Sequence, residues 1–292
     1  MKSGFVSIIG RPNVGKSTLL NAIIGEKVAI TADKPQTTRN RIRGIYNEAD
    51  TQIVFIDTPG IARPRNRLGA YMTDQALTTF DEVDIILFVV DEKLGTRGGD
   101  QFILERLRET QTPKILAINK MDQMGPDLYR DIFEEYEQAG VFTEILGVSA
   151  LKGDNVPLLI ETLKKYVTDG PAYFPEGVFT DLPERFLAGE IIREKMLHYL
   201  RDEVPHGVAV EIEAFAEKPN MTEISAVIYT EKKTHKGIII GKEGHTLKGI
   251  GKSARLELEA LLGARVHLSL WVKIKENWRD NGRMLGALGY RD

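Results

Sequence analysis

The chain contains no cysteine among its 292 residues. That excludes disulfide staples and thiolate metal sites, and it agrees with a reducing compartment. No apolar run approaches the ~18 residues of a membrane-spanning helix. The longest, Ile85 to Val90, has the length of a strand. Phe5 to Ile9 stands too close to Met1, and is too short, to be the apolar core of a secretion signal. A cytoplasmic protein is therefore expected. Internal repeats, low-complexity tracts and coiled-coil heptads are also missing, which favours a monomer. The net charge is only −3, so the chain as a whole is not a basic nucleic-acid binder. Tryptophan occurs twice, and Trp271 and Trp278 are both expected as core or packing residues.

What the chain does have is two kinds of pattern. From Phe5 to Thr168, short apolar strands alternate with amphipathic helices, the rhythm of a doubly wound α/β domain with a mostly parallel sheet. Glu184 onward reads instead as α-β-β-α-α-β, a smaller α+β domain. The segment 169–183 holds Gly170, Pro171, Pro175, Gly177 and Pro183 and reads as a linker whose Tyr173 and Phe174 pack on a domain surface. The expected division is thus 1–168, 169–183 and 184–292. Charge is uneven as well: between Lys232 and Arg283, twelve Lys and Arg stand against five Asp and Glu, a net +7 that suits phosphates.

Gly10-Arg-Pro-Asn-Val-Gly-Lys-Ser17 fits G-x-x-x-x-G-K-[ST] at a strand-to-helix turn. Gly10, Arg11, Pro12, Asn13, Val14, Gly15 and Thr18 would wrap the phosphates, all but Pro12 offering a backbone N–H group. Lys16 would bridge β and γ oxygens, and Ser17 would ligate Mg²⁺. Asp57-Thr58-Pro59-Gly60 follows an apolar strand, at the strand end where α/β ligands bind. Asp57 can hold Mg²⁺ through water, and the Gly60 N–H can sense a γ-phosphate. Asn119-Lys120-Met121-Asp122 carries a carboxylate able to accept guanine N1–H and N2–H₂ together, a pairing adenine cannot make. Asn119 would hold the loop and contact guanine, while the Lys120 stem covers the base. Ser149-Ala150-Leu151 follows another strand and would give a backbone N–H to guanine O6. The segments 27–44 and 61–69 are polar and read as mobile loops beside the γ-phosphate. A P-loop small-molecule kinase shares the phosphate loop but has no need of Asn119 and Asp122. An RNA-binding module with a structural nucleotide pocket is the non-enzymatic alternative.

In this order the motifs resemble the translation-factor-related GTPases, and Gln36-Thr-Thr-Arg39 is similar to the Era-like branch. The resemblance implies a switch threonine that closes on Mg²⁺ and the γ-phosphate, with Thr38 favoured by position and Thr37 the alternative. Ile61 occupies the place of the water-orienting glutamine of Ras-like proteins. Relatives use the residue matching Asn13 to help K⁺ neutralise transition-state charge, so Lys16, Asn13 and Thr38 are the implied catalytic residues.

Gly241-Lys-Glu-Gly244, after Ile238-Ile-Ile240 and before Leu247 and Ile250, resembles the G-x-x-G loop of a type II KH domain. Lys236, Ile240, Gly241, Lys242, Glu243, Gly244, Lys248 and Lys252 are the expected RNA contacts. Glu190-Ile-Ile-Arg-Glu-Lys195, Pro205, Val210-Glu-Ile-Glu213, His267-Leu-Ser-Leu-Trp-Val-Lys273 and Leu288-Gly-Tyr290 extend the resemblance to the whole chain. It implies a GTP/GDP and Mg²⁺ switch that binds the 16S rRNA 3′ end and assists small ribosomal subunit (30S) maturation. It also implies some peripheral association with the inner membrane face.

Overall fold

The computed structural model describes residues 1–93 and 98–290. Two compact units are present: Met1–Arg65 with Gly69–Asp181, and Asn66–Leu68 with Leu182–Asp292. The first opens with β1 (Lys2–Ile9), α1 (Lys16–Ile24), β2 (Ile42–Glu48), β3 (Thr51–Asp57), α2 (Arg67–Leu77), β4 (Ile85–Val90), α3 (Gly99–Arg108) and β5 (Lys114–Ile118). It continues with α4 (Pro126–Gln138), β6 (Glu144–Gly147), α5 (Val156–Leu163) and β7 (Thr168–Asp169). The sheet order is β2-β3-β1-β4-β5-β6. Pairing is parallel from β3 to β6, and β2 runs antiparallel to β3.

Strands β3 and β4 are buried at every residue. Continuous β-branched and apolar runs are what a strand covered on both faces requires. Beneath α3 and α4 the core joins Ile9, Phe88 and Val90 to Ile103, Leu107 and Tyr136. Helix α5 ends earlier than the apolar pattern to residue 168 suggested. Thr168 and Asp169 instead form β7, antiparallel to Lys2 and Ser3 of β1, a stretch of β1 that β4 does not reach.

The segment after β7 lies along β2 as a strap. Gln52 binds the Tyr173 and Phe174 amides through Oε1 (2.7 and 3.0 Å) and the Phe174 carbonyl through Nε2 (2.9 Å). The Ile45 amide donates to the Phe179 carbonyl at 2.8 Å, and the Tyr173 and Phe5 rings lie 4.6 Å apart. A sheet edge that would otherwise present open amides is thereby covered.

The second unit contains α6 (Glu184–Tyr199), β8 (Ala209–Lys218), β9 (Met221–Thr230), α7 (Lys233–Ile240), α8 (His245–Leu262), β10 (Arg265–Ile274) and α9 (Gly282–Ala287). Its sheet runs β10-β9-β8, with β10 parallel to β9 and β8 antiparallel to it. Helices α6 and α8 bury Ala188, Ile192, Ala254 and Leu258 against Ile224 and Ala226. Helix α9, absent from the sequence reading, is capped by Asn281, whose Oδ1 accepts from the Met284 amide at 3.1 Å. Trp278 is fully buried and donates Nε1–H to the Gly207 carbonyl at 2.9 Å. Trp271 corrects the expectation of two core tryptophans: it is 61% exposed. It shares the outer face of β10 with the exposed residues Arg265, His267 and Lys273, because alternate strand residues face opposite ways.

Candidate nucleotide site and nucleic-acid interface

Loops leaving the C-terminal ends of β1, β3, β4, β5 and β6 meet at one rim of the first unit. The phosphate loop is glycine-dependent in a specific way. A Cβ on Gly10 (φ 150) would sit 2.4 Å from the Val89 carbonyl, and one on Gly15 (φ 95) would sit 2.3 Å from Asn119 Nδ2. The loop therefore packs tightly on both β4 and the base loop. Lys16 is buried and donates to the Gly10 and Arg11 carbonyls at 3.2 and 2.9 Å. Burial lowers its pKa to about 8, opposed by Asp57. Arg11 turns its side chain onto acids. Its guanidinium binds Asp100 (2.7 Å), Glu92 (2.5 Å) and Asp91 (3.3 Å), leaving its backbone to line the loop. Asn13 is exposed and has φ 68.

Three side-chain oxygens converge next to Lys16. Ser17 Oγ lies 2.6 Å from Asp57 Oδ2 and 2.8 Å from Thr38 Oγ1, and Thr38 Oγ1 donates to the same Asp57 oxygen at 3.2 Å. Asp57 is fully buried, and among the described residues its Oδ1 has no hydrogen-bond partner. Burial pushes its carboxyl up to about 6, with Lys16 opposing. An all-oxygen set with an orphaned carboxylate oxygen fits Mg²⁺. Thr37 is directed elsewhere, donating to the Lys34 carbonyl at 2.6 Å. Thr58 is buried and its hydroxyl donates to the Ile8 carbonyl at 2.8 Å, so that side chain braces β3 rather than facing a ligand.

Gly60 closes onto the phosphate loop, and the Ile61 amide donates to the Gly10 carbonyl at 3.1 Å. The Ile61 side chain is buried in the core with Ile9 and Phe88, so its direction as well as its chemistry keeps it from orienting water. Of the two segments expected as mobile loops, 27–44 is anchored at several points, whereas 62–65 is exposed. Val28, Ala29 and Ile30 are buried, and Asn21 binds the Val28 and Ala29 backbone at 2.7–3.0 Å. Arg41 donates to the Gln75 carbonyl (2.9 Å) and Glu82 (2.8 Å), while the Tyr71 hydroxyl donates to Asn40 Oδ1 at 2.9 Å. These contacts were illegible as periodicity because each is a single long-range bond.

In the base loop, Asn119 Nδ2 donates to the Val14 carbonyl at 2.8 Å, and its Oδ1 accepts from the Ala150 amide at 3.0 Å. That modifies the expectation that Ala150 serves guanine O6. The Leu151 amide, without a protein partner among the described residues, is the alternative donor. Asp122 is exposed and accepts from Ser149 Oγ at 2.6 Å; this bond leads the causes holding its pKa below the usual carboxylate value. Lys120 (φ 65) reaches back to the Asn13 carbonyl at 2.9 Å.

In the second unit the G-x-x-G loop joins α7 to α8. A Cβ on Gly241 (φ 74) would meet Thr246 Oγ1 at 2.3 Å, whereas Gly244 (φ 78) has only Lys248 Cε at 3.8 Å. Lys242, Glu243, Lys248 and Lys252 are exposed, and Lys236 is half-buried. Ile240 is partly buried against the Met196 and Leu200 cluster. Ile238, named in the motif but not among the expected RNA contacts, is the exposed isoleucine of its triplet. Helical spacing marks it, because Ile239 takes the core position.

Fold and rim together define a P-loop GTPase domain followed by a KH domain. Family models agree: one described as a 50S ribosome-binding GTPase matches residues 5–120, and a KH domain model matches residues 203–279. The chain is 54% identical to the GTPase Era of Alkaliphilus metalliredigens, over 99% of each chain. It is also 54% identical to that of Clostridioides difficile, over 100% of this chain and 99% of the relative. A solved structure of an Aquifex aeolicus Era variant bound to GDP and AlF4⁻ covers both chains fully at 43% identity and TM-score 0.95. An Era complex with MgGDPNP and nucleotides 1506–1542 of 16S ribosomal RNA does so at 43% identity and TM-score 0.96. This chain belongs to the Era family of GTPases.

Proposed function

We propose that the chain is a GTP-hydrolysing switch that binds the 3′ region of 16S rRNA through residues 236–252 and assists maturation of the small ribosomal subunit. The observation carrying the switch is the meeting of Ser17, Thr38 and Asp57 oxygens within 3.2 Å, which joins phosphate loop, first switch and β3 end in one cradle. When bound there, Mg²⁺ supplies charge that offsets the β- and γ-phosphates. Lys16 adds a buried ammonium, Gly60 brings its amide to the γ-phosphate side, and Asp122 with Ser149 reads guanine. With Ile61 in the core, the side chain directly after Gly60 does not orient water. Asn13 is left to assist a K⁺ ion, and equal hydrolysis rates in K⁺ and Na⁺ would refute that role.

The RNA part is supported by the family and by the solved Era complex with 16S nucleotides. An exposed Ile238, open Gly244 and Lys242, Lys248 and Lys252 offer apolar contact, close approach and charge to a single strand. RNA and GTP sites are coupled, so RNA that favours the GTP state tightens GTP by the same factor. Action is in the cytoplasm. Among the described residues no helix is long and apolar enough to cross a membrane. A peripheral fraction at the inner membrane face rests on the family resemblance, and vesicle flotation tests it. Crosslinking in cells with sequencing of attached RNA tests the main reading: enrichment at the 16S 3′ end is expected, and its absence overturns the RNA target.

A further inference from the structure

Two basic side chains from different motifs converge on one acid that belongs to neither. Asp91 directly follows β4. Its Oδ2 accepts from Lys120 Nζ of the base loop at 2.7 Å, and its Oδ1 from Arg11 Nη2 of the phosphate loop at 3.3 Å. Lys120 Nζ donates in addition to the Asn13 carbonyl at 2.9 Å. The ammonium is thus trapped between an acid of the sheet and a carbonyl of the phosphate loop.

The two partners do not depend on Asp91 equally. Arg11 is held independently by Asp100, itself 98% buried, at 2.7 Å and by Glu92 at 2.5 Å. Its stem also lies against Gly99, where a Cβ would meet Arg11 Cδ at 2.6 Å. Lys120 meets no other carboxylate among the described residues. A flexible four-carbon stem keeps one conformation only when its end is fixed, since ordering it costs rotamer entropy. Removing the Asp91 charge therefore frees the lysine while leaving the arginine anchored.

We propose that Asp91 is a positioning residue for guanine-nucleotide binding: by holding the Lys120 ammonium on the Asn13 carbonyl, it fixes the Lys120 stem in the base subsite and sets the span between base loop and phosphate loop. This rests on the guanine-nucleotide reading of the rim and adds a residue outside its motifs. Because the base end is common to both nucleotides, the effect is equal for GDP and GTP.

The test is a double-mutant cycle on the full chain, read as Kd for fluorescent GDP and for a non-hydrolysable GTP analogue, with circular dichroism verifying the fold. Asp91→Asn is expected to raise both Kd values about tenfold, the scale of one charge-assisted hydrogen bond. In a Lys120→Met background the same change is expected to do nothing further, because the group it acts through is gone. Asp91→Glu, which keeps the charge, should stand closer to wild type than Asp91→Asn. Wild-type affinity in Asp91→Asn overturns the proposal, and so does an undiminished effect in the Lys120→Met background, which would place its action on Arg11 or the fold. Should Asp91→Asn fail to fold, Asp91→Ser, which also removes the charge, carries the same cycle with the same expected and refuting outcomes. Failure of the wild-type chain to bind guanine nucleotides would instead overturn the underlying reading.

Discussion

Gly60→Ala puts one methyl group into the closest approach between β3's end and the phosphate loop. The Cβ would stand 2.6 Å from the Pro12 nitrogen and 2.7 Å from its Cα and Cγ, where contacts below 3.0 Å are essentially never seen. Gly60 does not have positive φ, so alanine carries no backbone penalty of its own. The cost is steric and belongs to the arrangement in which Gly60 covers Pro12 and the Ile61 amide bonds the Gly10 carbonyl. Backbone atoms on both sides must yield, and overpacking of this kind costs about 1–3 kcal/mol, roughly 5- to 150-fold in a binding constant. A state with this loop drawn away pays nothing. GDP, which lacks the γ-phosphate that Gly60 would touch, tolerates that state. Competitive titration with fluorescent nucleotide should show the non-hydrolysable GTP analogue weakened within that range, GDP nearly unchanged, and hydrolysis slowed. Equal affinities for both nucleotides at wild-type values would refute the view that Gly60's contact with Pro12 belongs to the GTP state.

Asp122→Asn should exchange guanine for xanthine preference, since an amide can donate to the xanthine O2 where the carboxylate accepted from guanine N2; competition between GDP and XDP reads it, and retained GDP preference refutes it. The Asp57 carboxyl, raised to about 6 by burial, must be ionised to hold Mg²⁺. Its protonated form fills as pH falls below 6, so Mg²⁺-dependent hydrolysis should drop toward about tenfold per unit below 6; a profile flat from pH 7 down to pH 5 refutes the assignment. Gly244→Asp has open space for its side chain, but φ 78 at this N-cap of α8 strains any L residue, so circular dichroism must show the fold retained. It should weaken RNA at low salt by about tenfold through charge repulsion while sparing GTP; unchanged RNA affinity removes the KH loop from the interface.

Motif chemistry was legible because it depends on residue type at fixed spacing. A phosphate turn needs glycines at both ends, and the structure gives the reason: Val89 and Asn119 occupy the space a side chain would take. Buried strands announced themselves as β-branched runs. Trp271 was misplaced although the signal existed, since Val266, Leu268, Leu270 and Val272 alternate on the other face. Strand β7 carried no signal, being two residues long and formed where the side of β1 away from β3 is not reached by β4. The choice of Thr38 over Thr37 rested on position in the family pattern and on no local rule: neighbours in an irregular loop point wherever the loop's anchors, here Asn21 and Lys34, turn them.

By itself, then, the sequence determined the order of loops around a guanine-nucleotide pocket, a G-x-x-G module after it, and the apolar strands that carry both. Local rules suffice for these, because turns, caps and hydrophobic periodicity act over a few residues. Tertiary structure brought Thr38, already favoured by position, onto Ser17 and Asp57, and it alone decided that Ile61 is spent on the core, that Arg11 faces acids, and that Asp91 binds two motifs at once. Each of those joins residues that lie from about twenty to ninety positions apart in the chain. Only the packing of loops on a shared sheet edge brings such groups within hydrogen-bond reach.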